Sequence, residues 1–181
     1  MFYDRSPRNV SVPEAQAIAQ VAHPFVTLVG LFVDEDREKV QSILSSVPIQ
    51  LAQFHGNESA DYCESFGLPY IKAIRVGEQD DLTGQIAAYG SAHAILLDTY
   101  KAGTPGGTGE VFSWDLIPEM KQHLILAGGL TPENVAEAVK TVGPYAVDTS
   151  GGVESAPGAK DPAKMRAFIS NVTSADRNVD V

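Results

Sequence analysis

One rhythm runs through this chain and limits what it can fold into. A short run rich in Val, Ile and Leu is followed by a loop, then by a helix-patterned segment of about ten residues, and the unit repeats. The apolar runs are Phe25–Val33, Ile49–Phe54, Tyr70–Val76, His93–Leu97, Leu124–Ala127 and Tyr145–Val147. Most are continuous rather than alternating, the pattern of parallel strands buried on both faces. Helical patterning covers Val12–Val21, Glu35–Ser45, Ser59–Phe66, Gln79–Tyr89, Trp114–Lys121, Pro132–Thr141 and Pro162–Asn171. Start signals mark several of these segments: Ser11 with Pro13, Thr131-Pro132-Glu133 and Asp161-Pro162.

Such alternation means a parallel α/β protein, either an open doubly wound sheet or a closed barrel. No Gly-x-Gly-x-x-Gly follows an early strand, which weakens a dinucleotide-binding reading. Glycine-rich segments instead follow the last three strands, and (βα)8 barrels hold phosphate in the loops after strands seven and eight. The expected fold class is therefore α/β, a (βα)8 TIM barrel. It is expected to be incomplete, since six full strands and seven helical segments are legible where a barrel needs eight of each. Residues 1–172 read as a single barrel domain and residues 173–181 as a polar tail.

Composition narrows the function. The 13 Lys and Arg against 23 Asp and Glu give a net charge of -10, which argues against nucleic-acid or anionic-membrane partners. An anionic ligand would have to be held by local features rather than by a general positive field. No apolar run approaches the roughly 18–20 residues of a membrane span, and residues 1–30 carry no signal-peptide pattern. With Cys63 the single cysteine, no internal disulfide forms and a reducing cytoplasm is expected.

Active sites of barrels are built where strands end. Ile95-Leu96-Leu97 runs into Asp98, and a carboxylate ending a buried apolar strand is costly unless solvated, paired or neutralised. Partial desolvation raises a carboxyl pKa, which suits a general acid; a plain loop-capping Asp is an equal reading of this residue alone. The following Gly106-Gly107-Thr108-Gly109 is either backbone closing over a ligand or a flexible loop. Leu124–Ala127 passes through Gly128-Gly129 into a helix start, and Ala146-Val147-Asp148-Thr149-Ser150-Gly151 repeats the design. Each signal is weak singly. Two in succession read as one phosphate pocket, with free N–H groups and helix dipoles facing the anion.

Together these residues resemble the phosphoribosylanthranilate isomerase family of tryptophan biosynthesis. The resemblance rests on Ser6-Pro7-Arg8-Asn9-Val10-Ser11, Val29–Val33, Gln53-Phe54-His55-Gly56, Leu96-Leu97-Asp98 with Gly106–Gly109 and Phe112–Asp115, Ala127–Leu130 with Pro132-Glu133-Asn134-Val135, and Asp148–Glu154 with Pro157-Gly158 and Lys160-Asp161, all in family order. It implies an Amadori rearrangement of N-(5-phosphoribosyl)anthranilate to 1-(2-carboxyphenylamino)-1-deoxyribulose 5-phosphate, with no metal or organic cofactor. Asp98 is implied as the general acid that protonates the ribose ring oxygen. Arg8 is implied as the partner of the anthranilate carboxylate, for which a planar guanidinium suits bidentate pairing. Gln53, His55 and Asp148 would orient the substrate; Gly107, Gly128, Gly129, Ser150 and Gly151 would bind its phosphate. His55 is otherwise a satisfied core histidine, and Asp148 otherwise a holder of loops. Lys160-Asp161 reads as structural, closing the turn into the last helix.

The sequence departs from the family at its start. Family members open with a strand bearing a cysteine, the general base that takes the proton from ribose C2, then a helix and a second strand. Here Met1-Phe2-Tyr3 corresponds only to the tail of that second strand. Cys63 cannot stand in, because it falls within a helical stretch rather than at a strand end. Two functions follow: the isomerase, or a non-catalytic barrel remnant that binds the phosphosugar without turning it over. The expected state is a monomer or homodimer, with self-association through exposed barrel edges.

Overall fold

The computed structural model describes residues 1–77, 81–99 and 114–176. They form two compact units, one from Met1–Ala73 and Ala88–Ala94, the other from Ile74–Ala87 and the described residues from Ile95 onward.

In the first unit, helix α1 (Val12–Val21) begins as its sequence signals require. Ser11 caps it, Glu14 reaches back to the Ser11 N–H over 2.7 Å, and Pro13 sits in the first turn, where its missing N–H costs nothing. Strand β1 (Val29–Phe32), helix α2 (Arg37–Ser46), strand β2 (Leu51–Phe54) and helix α3 (Ala60–Glu64) follow. Strand β3 (Tyr70–Val76) lies beside β2, and both strand pairs are parallel. Phe2 forms a parallel bridge to Phe32 on the other side of β1, with its N–H donating to the Leu31 carbonyl over 2.8 Å. The register sets Phe32 beside Phe54 and Phe54 beside Lys72, so these side chains share one face. On it an aromatic core runs from Phe2 through Phe32 and Phe54 to Tyr62, Phe66 and Tyr70.

The second unit carries helix α4 (Leu82–Ala87), strand β4 (Ala94–Thr99, from Ile95), strand β5 (His123–Leu126), helix α5 (Val135–Val142) and strand β6 (Ala146–Val147). A short antiparallel hairpin, β7 (Glu154–Ala156) with β8 (Ala159–Lys160), leads into helix α6 (Pro162–Asp176). Leu126, Leu130, Val135, Ala138, Val139, Val153, Phe168 and Ala175 form its core, with Trp114 packed against it. The strands of the main sheet are ordered β1-β2-β3-β4-β5-β6, the order of the chain. Among the described residues no helix is long and apolar enough to cross a membrane.

Several boundaries differ from the sequence reading. The run from Phe25 starts pairing only at Val29, where Leu51 supplies a partner; before it, Pro24 and a turn closed by Val26 N–H on the His23 carbonyl leave Phe25 exposed. The helix expected over Trp114–Lys121 is a single 3-10 turn, Trp114–Leu116. Pro118 explains the stop: it lacks an N–H and pushes Ile117 away from helical angles. Pro132 lies in a turn ahead of α5, in which Asn134 Oδ1 accepts from the Thr131 N–H at 2.8 Å. At the other end of the chain α6 reaches Asp176, and Ala175 is buried within the segment expected to be tail.

Candidate functional site

Arg8, Gln53 and His55 belong to the first unit. The N-terminal segment folds back on itself through Ser6 N–H to the Tyr3 carbonyl and Val10 N–H to the Met1 carbonyl. Within that turn the Arg8 N–H donates to Ser6 Oγ at 3.1 Å and its side chain is half-buried. Gln53 and His55 are two apart across the end of β2 and so leave the same face, opposite Phe54. They touch: Gln53 Nε2 lies 3.2 Å from His55 Nδ1. Gln53 is buried and His55 half-buried.

Behind these two residues stands a cluster that the sequence did not announce. Lys72 and Glu58 form an ion pair at 2.8 Å, with both side chains 3% exposed. The Lys72 ammonium also donates to the Gly56 carbonyl at 2.7 Å and lies 5.4 Å from the centre of the Tyr89 ring. The Glu58 carboxylate accepts from the N–H groups of Asp34, at 2.8 Å, and Gly56, at 2.9 Å. Asp34, with φ 47°, in turn accepts from the Asn57 N–H and side chain. The loops leaving β1 and β2 are thereby fixed to each other, and a side chain at position 56 would collide with the Asp34 carboxylate. Lys72 is a lysine in mid-strand and Glu58 sits in a loop, so only the fold reveals them as a pair.

Asp98, Gly128, Gly129, Asp148, Ser150 and Gly151 belong to the second unit, while Gly107 lies outside the described residues. Asp98 follows the fully buried Ile95, Leu96 and Leu97 near the end of β4 and is half-buried. The neighbouring strand docks here, with the Ala127 N–H donating to the Leu97 carbonyl at 2.9 Å. Gly128 and Gly129 both take positive φ, 83° and 65°, which explains why two glycines stand there. Asn134 Nδ2 holds the Gly129 carbonyl at 3.0 Å.

The loops after β5 and β6 are brought together. The Thr149 hydroxyl donates to the Leu130 carbonyl at 2.7 Å, and a Cβ at Gly152 would overlap that same carbonyl. Asp148, whose N–H donates to the Leu126 carbonyl at 2.8 Å, and Ser150 are exposed; Gly151 is half-buried. The Lys160 ammonium reaches the Ser150 carbonyl at 2.7 Å and the Glu154 carboxylate at 3.0 Å. Asp161 caps α6 by accepting from the N–H groups of Ala163 and Lys164. The Lys164 and Ala163 N–H groups hold its carboxyl below the usual range. Cys63 is fully buried in α3, and burial pushes its thiol up to about 12, so it stays protonated near neutrality.

The family model for N-(5'-phosphoribosyl)anthranilate (PRA) isomerase matches residues 1–171. This chain belongs to that family. An N-(5'-phosphoribosyl)anthranilate isomerase of Pseudomonas fluorescens is 56% identical over 173 residues, covering 95% of this chain and 85% of the relative. The phosphoribosyl anthranilate isomerase of Thermotoga maritima superposes with a TM-score of 0.87 at 38% identity, over 96% of this chain and 85% of that one. A second solved family member, 36% identical with a TM-score of 0.83 over 96% of this chain and 84% of that one, is in complex with reduced 1-(o-carboxyphenylamino)-1-deoxyribulose 5-phosphate. The chain thus shares the family's α/β fold, with its six parallel strands in chain order.

Proposed function

We propose that this chain acts on N-(5'-phosphoribosyl)anthranilate and catalyses its Amadori rearrangement in tryptophan biosynthesis. The observation that carries this reading is a family match over residues 1–171 in which Asp98 follows three fully buried residues near the end of β4. Asp98 donates its proton to the ribose ring oxygen; the C1–O bond breaks and the anilino nitrogen's lone pair forms a Schiff base. Transfer of the proton on C2 to water gives the enolamine, which tautomerises to the ketose. Cys63 is not the base for that proton, being buried and protonated. Arg8 pairs with the anthranilate carboxylate, and Gln53 and His55, in contact with each other, orient the substrate. Gly128, Gly129, Ser150 and Gly151 surround its phosphate, supported by the joined loops and the positive φ angles of the glycine pair. Asp148 orients the substrate from the second of these loops. The reaction draws on no metal or organic cofactor.

The parallel sheet belongs in this reading to a (βα)8 barrel. Its sequential strand order supports that reading. The protein works in the cytoplasm as a monomer or homodimer.

Turnover is measured by the loss of substrate fluorescence, for the 181-residue chain and for Asp98→Asn. The isomerase reading expects a rate that the substitution lowers by about 10²-fold or more, the lower range of general-acid contributions. An unchanged rate in Asp98→Asn removes the acid from its assigned place. Binding of the substrate without turnover by the native chain leaves the phosphosugar-binding remnant as the function.

A further inference from the structure

The β7–β8 hairpin carries a lysine whose contacts exceed what closing a turn requires. Lys160 Nζ donates to the Ser150 carbonyl at 2.7 Å, a charge-assisted bond. The same ammonium pairs at 3.0 Å with Glu154, whose side chain is 6% exposed. Glu154 is itself tied down, because Lys164 Nζ donates to its backbone carbonyl at 2.8 Å. The ammonium therefore has a fixed position from which to hold Ser150.

The Ser150 carbonyl and the Gly151 N–H belong to one peptide group. That group is trans, so the two bonds point in opposite directions, and anchoring the carbonyl aims the N–H. Among the described residues few other contacts hold this peptide. The Ser150 side chain makes no capping hydrogen bond, and Gly151 has no side chain to limit its rotation. One residue on, a Cβ at Gly152 would overlap the Leu130 carbonyl and the Gly151 carbonyl accepts from the Glu154 N–H, so Lys160 secures the peptide that leads into this fixed stretch.

We propose that Lys160 is a positioning residue, held by Glu154, which fixes the Ser150–Gly151 peptide so that the Gly151 N–H is presented to the substrate phosphate. This rests on the reading of Gly151 as a phosphate donor.

The test titrates the full chain with inorganic phosphate while following the Gly151 amide by nitrogen–proton NMR, at low salt and at about 0.5 M NaCl, where through-space attraction is largely screened. The variants are Lys160→Met and Lys160→Met with Glu154→Gln, the second removing the stranded carboxylate that could impair folding. The expected result is a downfield move of the native Gly151 amide. In whichever variants fold, phosphate affinity falls about tenfold at both salt concentrations and that move is lost. Native-like binding in the variants overturns the inference and leaves the phosphate site standing. A loss seen only at low salt also overturns it, since Lys160 would then act through its field. If the native chain binds phosphate without moving the Gly151 amide, or does not bind it, the phosphate reading of this loop fails, and the positioning role with it.

Discussion

Lys72 shows how a buried charge is accommodated at the scale of one residue. Its ammonium has the Glu58 carboxylate and the Gly56 carbonyl as acceptors and an aromatic face beside it, while Glu58 takes two backbone N–H groups in return. Removing one partner strands the other in a low-dielectric interior. Lys72→Met is therefore expected to lower stability by about 3–5 kcal/mol in urea unfolding, and Lys72→Met with Glu58→Leu to recover part of that loss. If the single substitution costs no more than the double, the pair is not coupled as its geometry requires. Residues of this kind were hard to read in the sequence, because the pair forms across a parallel register between a strand and a distant loop. The place of Asp98 in the fold was easier, because an apolar run leading into a carboxylate marks the last part of a buried strand.

At the scale of elements, local signals decided what was legible. The limits of α1 and β3 follow directly from a capping box and from an apolar run that only Lys72 and Arg75 interrupt. The segment after Trp114 carried helical patterning, yet a single proline confined it to one turn. The β7–β8 hairpin escaped notice because its strands are too short to show a period. The packing of the loop after β6 on the loop after β5 leads to a prediction. Gly152→Ala puts a methyl group onto the Leu130 carbonyl, which the Thr149 hydroxyl already holds in place. The loop must move, at a cost of about 1–3 kcal/mol typical of overpacking. Thermal melting together with phosphate titration checks this: both stability and phosphate affinity fall, and native values for both would mean that the loops are not locked together.

For the whole molecule, the balance lies between an acidic surface and exposed apolar side chains. The net charge of -10 repels like copies, whereas Ile18, Val21, Phe25, Val26 and Val29 in the first unit leave apolar surface in water, Phe25 being 92% exposed. Added salt screens the repulsion and leaves the apolar attraction. Sedimentation velocity is therefore expected to show self-association growing with protein and salt concentration, and Val21→Ser with Phe25→Ser to reduce it. Association unaffected by that double substitution would place the contact elsewhere. The six-strand alternation made the fold class legible from the start, but the division into two compact units left no mark on the sequence, since it cuts within β3 rather than at a linker. That division gives two unusual residues a practical use. The single cysteine, Cys63, is sealed in the first unit, and the single tryptophan, Trp114, is packed on the core of the second. Thiol labelling and indole emission thus form a built-in pair of probes, one reporting from each unit without any engineered label.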